Sequence, residues 1–180
     1  MWPQDTLVRL IMNYVGVFFK PKLGCLVCFY NPNEMCPIFW SFTYNDNISY
    51  IYKNIISYIK NQKNIYVHIN EISTKNQKQF ALYNQFIGML SGMYETRNIN
   101  LKIVSQDKVK KRIMNLLDIN NKKEFNKKMK IKKMHNNQYN LVYEIVKHRS
   151  KRTTDLYISA YLFAYYGFLK DKIKGYNHKE

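Results

Sequence analysis

Residues Lys63 to Asn76 read KNIYVHINEISTKN. Ile65 to Ile72 has the apolar content of a buried strand, and it carries Asn70 and Glu71 to its C-terminal end just before a helix that starts near Asn76. In open α/β sheets ligands collect outside the carboxyl ends of the strands. The chain is therefore read as a sheet built around this strand, with Asn70 and Glu71 at the position where chemistry would sit.

On the N-terminal side, Ile48, Ile51, Ile55, Ile56 and Ile59 recur at helical spacing behind Asp46 or Asn47 as the cap. Three aromatic-rich runs precede that helix: Tyr14–Phe19, Leu23–Tyr30 and Pro37–Tyr44. The turn chemistry of Lys20-Pro21-Lys22 and Asn31-Pro32-Asn33 separates them, which predicts a three-stranded antiparallel meander. On the C-terminal side a helix is expected from about Asn76 to Arg97, with Phe80, Leu82, Tyr83, Phe86, Ile87, Leu90 and Met93 on its apolar positions. Gly88 and Gly92, four residues apart in it, are expected to permit close packing on the sheet. Asn100–Val104 reads as a fifth strand and Asp107–Leu117 as a further helix. Helical spacing resumes over Asn136–His148, and a final helix is expected with Thr153 or Thr154 as its cap. This order of elements predicts an α/β fold with a mixed five-stranded sheet flanked by helices.

The length of 180 residues fits one domain spanning 1–180, large enough to bury a core without disulfides or metal. Lys and Arg number 29 against 12 Asp and Glu, a formal net charge of +17. Such a surface attracts polyanions, and phosphate neutralisation is the usual source of nucleic-acid affinity. An AT-rich coding sequence, with its excess of Lys, Asn, Ile and Tyr codons, is the plainer explanation of the same composition. The densest charge is a lysine-rich insertion at about 120–135, NKKEFNKKMKIKKMH, which reads either as a phosphate-binding segment or as a solvated insertion. Phe125 and Tyr139 could stack on unpaired bases or anchor the segment to the core. Candidate nucleic-acid contacts are Lys22, Lys75, Lys108, Lys110, Lys111, Arg112, Lys127, Lys128, Lys130, Lys132, Lys133, Arg149, Lys151 and Arg152.

Cys25, Cys28 and Cys36 lack a fourth ligand at zinc spacing and read as buried thiols in a reducing, intracellular compartment. His68 reads as a satisfied core or near-surface histidine rather than a base, and His135 and His148 at most as auxiliary phosphate contacts. The Met12–Phe19 run reads as a strand rather than a signal peptide. Leu156–Leu169 is shorter than the ~20 apolar residues of a membrane span.

In layout and in residues the chain resembles the RNase H-like Holliday junction resolvases, the RuvC-like branch of large DNA viruses and mitochondria. Members open with a strand reading I-G-I-D-x-G-x-K-N. Here Val15-Gly16-Val17-Phe18 continues to Lys22, so Gly16 and Lys22 match and the metal-binding Asp position falls on Phe18. The family's I-E-x-Q strand end resembles Ile69-Asn70-Glu71-Ile72 and puts its acid on Asn70. Val104-Ser105-Gln106-Asp107-Lys108-Val109-Lys110 is similar to the family's strand, turn and helix start. The family's K-K-D-D-L-A-D-S resembles Arg152-Thr153-Thr154-Asp155-Leu156-Tyr157-Ile158-Ser159, which keeps Asp155 and places Thr154 and Ile158 on the other acid positions.

The resemblance implies a nuclease ancestry, a homodimer on a twofold junction and, in active members, Mg²⁺ held by converging carboxylates. Phe18 and Ile158 offer no ligand, and Asn70 offers only a neutral carbonyl. Glu71 could join Asp155 only if a bulge shifted it to the face of Asn70. Asp155 alternatively serves as a helix-terminal acid. The expectation is therefore a pseudo-resolvase that binds branched or structured DNA and needs no cofactor. The alternatives are an active Mg²⁺-dependent resolvase using Glu71 and Asp155, and a structural or interaction subunit of a nucleoprotein assembly with protein partners. No membrane association is expected.

Overall fold

The computed structural model describes residues 13–20, 24–32, 37–59, 62, 64–93, 98–116 and 148–177. The elements are β1 (Asn13–Lys20), β2 (Gly24–Tyr30), β3 (Ile38–Phe42), α1 (Ile48–Ile59), β4 (Asn64–Asn70), α2 (Gln77–Gly92), β5 (Asn98–Val104), α3 (Gln106–Leu116) and α4 (Lys151–Asn177). The expected mixed five-stranded sheet is present, in the order β3-β2-β1-β4-β5. β1, β2 and β3 form the antiparallel meander, while β1, β4 and β5 run parallel, so β1 joins the two halves. Lys22, the lysine-rich insertion, residues 136–147 of the helix expected over Asn136–His148, Cys36, His135, Phe125 and Tyr139 lie outside the described residues.

Alternation along β1 divides the core into two layers. Val15, Val17 and Phe19 point to one face, where Ile51, Ile55 and Ile59 of α1 and Leu82, Tyr83, Phe86 and Leu90 of α2 cover them. Tyr14 and Phe18 point to the other, under Val109 and Ile113 of α3 and Leu156, Ala160, Phe163 and Ala164 of α4. Burial on both faces explains why β1, β2 and β4 read as nearly continuous apolar runs. It also separates Cys25 from Cys28: three residues apart on a strand, they fall in opposite core layers as buried thiols and cannot share a ligand. Burial pushes the Cys25 thiol up, away from the reactive thiolate.

Local chemistry places the helix starts. Asn47 caps α1, its Oδ1 accepting from Ser49 N at 2.7 Å, and Asn76 caps α2 by accepting from Gln79 N at 3.1 Å. Ser105 Oγ accepts from Lys108 N at 3.3 Å at the head of α3. The cap of α4 is Ser150, whose Oγ accepts from Thr153 N at 3.3 Å, not Thr153 or Thr154. Three hydroxyl residues compete in Ser150–Thr154, and the earliest one captures the first free N–H groups. Asp155 consequently lies beyond the first turn of α4, exposed, and does not cap it.

The glycines are used differently from expectation. Gly88 and Gly92 are exposed on α2, and a Cβ at either would meet nothing within 4 Å. Close approach occurs instead at Gly16, where a Cβ would lie 2.0 Å from Ala160 O and 2.4 Å from Ala164 N. α4 crosses the sheet diagonally through this point. Gly167 lies on His68 of β4, Ala160 and Ala164 lie on Gly16 of β1, and Tyr157 packs against Phe39 of β3. Both atoms nearest Gly16 belong to backbone, so no rotamer change relieves a methyl group there. Gly16→Ala should cost at or above the upper end of the ~1–3 kcal/mol typical of overpacking. Chemical denaturation checks this, and a wild-type midpoint in the variant would contradict the packing.

Candidate functional site

The end of β4 is tied to β1 by one side chain. Asn70 Oδ1 accepts from Phe19 N at 2.7 Å, and Asn70 Nδ2 donates to Phe19 O at 2.9 Å and to Glu71 O at 3.2 Å. The β1–β4 ladder reaches Val17↔Ile69. Beyond it the primary amide of Asn70, donor and acceptor in one plane, stands in for the next peptide of the ladder. The site is buried, so an unmet Phe19 N–H or C=O would carry a desolvation cost of about 1–3 kcal/mol. Tyr83 of α2 completes the brace by donating its hydroxyl to Asn70 O at 2.9 Å.

Of the other positions identified through the resolvase resemblance, Phe18 and Ile158 are apolar and belong to the core layer under α3 and α4. Phe18, next in register to Asn70, is buried and packs on Phe163 with ring centroids 5.8 Å apart. Ile158 packs against the same core layer, and Thr154 is half-buried, its N–H bonded to Ser150 O at 2.9 Å. Asp155 is exposed. The β4–β5 pairing continues without a bulge, since Asn70 pairs with Val104 and Glu71 N donates to Val104 O at 3.3 Å. Glu71 therefore points away from Asn70, to the α2 face. There burial, and secondarily the charge of Glu71, pushes the Tyr83 phenol up to about 12. The register shift that would bring Glu71 beside Asp155 does not occur.

Magnesium requires several hard oxygen donors around one point. At these positions Phe18 and Ile158 supply none, and the Asn70 carbonyl is committed to Phe19 N–H. Among the described residues no group of three or more His, Cys, Asp or Glu side chains could hold a metal ion. The donor set here does not fit a two-metal centre.

Most of the described basic candidates fall on or beside two adjacent elements, α3 and the start of α4. Lys108, Lys111 and Arg112 are exposed on α3 and Lys110 is half-buried there. α3 docks beside α4 through Val109 and Ile113, and Gln106 Nε2 donates to Ser159 Oγ at 3.4 Å. Arg149, Lys151 and Arg152 are exposed at the N-terminal end of α4, with the Arg149 guanidinium 5.2 Å from the Tyr157 ring centroid. Lys75 is exposed in the β4–α2 connection. Lys127, Lys128, Lys130, Lys132 and Lys133, like Lys22, lie outside the described residues.

A mixed sheet in this order, with α4 laid diagonally across its centre, is an RNase H-like α/β architecture. It is similar to the solved structure of the yeast mitochondrial Holliday junction resolvase Ydc2, with a TM-score of 0.55 and 13% sequence identity, over 86% of this chain and 76% of that one. The likeness is one of fold. No protein-family model matches the chain and no curated protein matches its sequence. Among the described residues, no helix is long and apolar enough to cross a membrane.

Sequence reading missed the state of His68. It is 3% exposed, and neither ring nitrogen has a hydrogen-bond partner among the described residues, so it is a core histidine but not a satisfied one. Burial, reinforced by the charges of Lys170 and Lys102, lowers its pKa to about 4 from 6.5. Above 6.5 the ring is neutral in both folded and unfolded chains. Between 6.5 and about 4 the unfolded chain takes up a proton that the folded one refuses, so stability falls with pH. His68 should contribute a loss of roughly 3 kcal/mol across that window. Urea unfolding in phosphate-free buffer would show it, and His68→Leu should flatten that part of the profile. An unchanged profile in the variant would contradict the burial of a neutral ring.

Proposed function

We propose that this chain is a resolvase-like nucleic-acid-binding protein that holds branched or structured DNA without cleaving it. The observation that carries the proposal is the Asn70 brace, with Phe18 and Ile158 packed into the core layer under α3 and α4. Where the resembled family gathers carboxylates, this chain uses an amide to close its sheet and apolar side chains to fill its core. Binding is supported by the charge of +17 and by the exposed cations of α3 and of the start of α4, which lie on neighbouring elements. A surface of lysines and arginines contacts phosphates, so selectivity would come from the shape of the nucleic acid rather than from its bases. The twofold symmetry of a junction calls for two copies of the chain, as the resemblance implies.

A second reading, a subunit of a nucleoprotein assembly, is favoured by exposed apolar groups on the two edge strands, Ile38 on β3 and Ile103 on β5. It predicts weak DNA binding by the isolated protein. The third, an active Mg²⁺-dependent nuclease, would have to build its site from Asp155 and groups other than Glu71.

A gel-shift experiment separates the three, using labelled four-way junction and matched linear duplex at two salt concentrations, with and without Mg²⁺ or Mn²⁺. Junction-selective retention by two copies, steeply weakened by salt and without cleavage, is expected. Replacing Lys108, Lys111 or Arg112 with Ala should reduce the salt slope by about 0.9 for each phosphate no longer neutralised. Metal-dependent nicking would overturn the non-catalytic reading. Failure to bind either substrate would overturn the binding reading and leave the assembly subunit.

A further inference from the structure

The half of α4 remote from its basic start covers a small pocket of about 20 Å³. Tyr66 and His68 of β4, Asn100 and Lys102 of β5, and Gly167, Lys170 and Asp171 of α4 line it. His68 forms part of the wall with both ring nitrogens lacking partners among the described residues. Its ring lies against Gly167, where a Cβ would sit 2.7 Å from Nδ1, and Tyr166 meets it edge-on at 5.3 Å. A glycine on α4 thus leaves room for the imidazole, yet no described group bonds it.

We infer that this pocket binds a phosphate-class oxyanion, one oxygen entering beside the His68 ring while the others remain at the mouth between Lys102 and Lys170. The neutral ring supplies one N–H donor and the two ammonium groups supply charge-assisted bonds. The volume suits a single oxygen-sized group, and the pocket opens to solvent for the rest of the anion. The opposing charge is Asp171, whose Oδ2 accepts from the Tyr14 hydroxyl at 2.8 Å. That bond ties Asp171 to β1. Burial, and secondarily the charge of that carboxylate, pushes the Tyr66 phenol up. A cation is disfavoured by the same two lysines, and an apolar ligand by the unpaired imidazole.

The anion can come from free phosphate or from a nucleic-acid phosphate, and two arms of one experiment tell them apart. The full chain, labelled with ¹³C at the histidine rings, is titrated with inorganic phosphate, with a 5′-phosphorylated oligonucleotide, and with sodium chloride at matched ionic strength. The chain contains 4 histidines, and His68→Gln assigns the resonance. A saturable shift of the His68 ring with phosphate but not with chloride is expected. Lys102→Met should weaken it roughly tenfold, as loss of one charge-assisted bond does, while the rest of the spectrum shows the fold retained. A matching shift with the oligonucleotide identifies nucleic acid as a source, and a shift with inorganic phosphate alone identifies free phosphate. No saturable shift in either arm, an equal response to chloride, or full affinity in Lys102→Met would overturn the site and leave water as the partner of His68. Arg152 and Phe168 are on the order of 20 Å apart along the helix. Charge removal at Arg149, Lys151 and Arg152 should therefore abolish junction retention and spare this shift, so the two proposals fail separately.

Discussion

The approach of α4 to the β1 backbone at Gly16 is the constraint on which the remaining geometry depends. With no side chain between them, Ala160 and Ala164 sit directly on the central strand. α4 can then reach from His68 in β4 to Phe39 in β3 as one helix. That contact brings Phe163 onto Phe18, and α3 docks beside α4 in the same core layer. A larger residue at position 16 would lift the helix and open this layer along its length.

The Asn70 brace closes the same region from the other side of β1. A primary amide can accept from Phe19 N–H and donate to Phe19 C=O at once; a carboxylate can only accept. With Asn70 at this position the strand end is closed by an amide that serves as a ladder rung. Phe18 and Ile158 pack into the core layer under α3 and α4. The fold keeps the sheet order and the diagonal helix, while the cations of α3 and of the start of α4 remain on the surface beside it.

Much of this was legible from periodicity. Burial on both faces made β1, β2 and β4 continuous apolar runs, and Ile51, Ile55 and Ile59 marked the inner stripe of α1. Spacing alone misplaced other features. Gly88 and Gly92 share a helix face, but which face meets the sheet depends on the neighbouring Leu82, Phe86 and Leu90, and those turn the glycines to solvent. Gly16, in a strand otherwise free of small residues, is the stronger sign of close backbone approach, although in sequence it stands out only as part of a motif. The β4 boundary moved from Ile72 to Asn70, where the side-chain amide takes the place of the next peptide in the ladder with β1. The unpaired nitrogens of His68 could not be foreseen, since they depend on three elements meeting over one ring.

The central claim is that Asn70 is a structural brace rather than the remnant of a metal site, and Asn70→Asp tests it directly. Thermal and urea unfolding of the variant would be measured at neutral and acidic pH, with and without Mg²⁺. At neutral pH the substituted carboxylate faces Phe19 O without a proton to donate, so a loss of roughly 1–3 kcal/mol is expected. Its pKa should rise in the folded state, so the loss should shrink as pH falls towards the ordinary carboxylate range, and Mg²⁺ should not restore stability. A variant as stable as the wild type, or one that Mg²⁺ stabilises in a saturable way, would contradict the brace and place a metal site at this strand end.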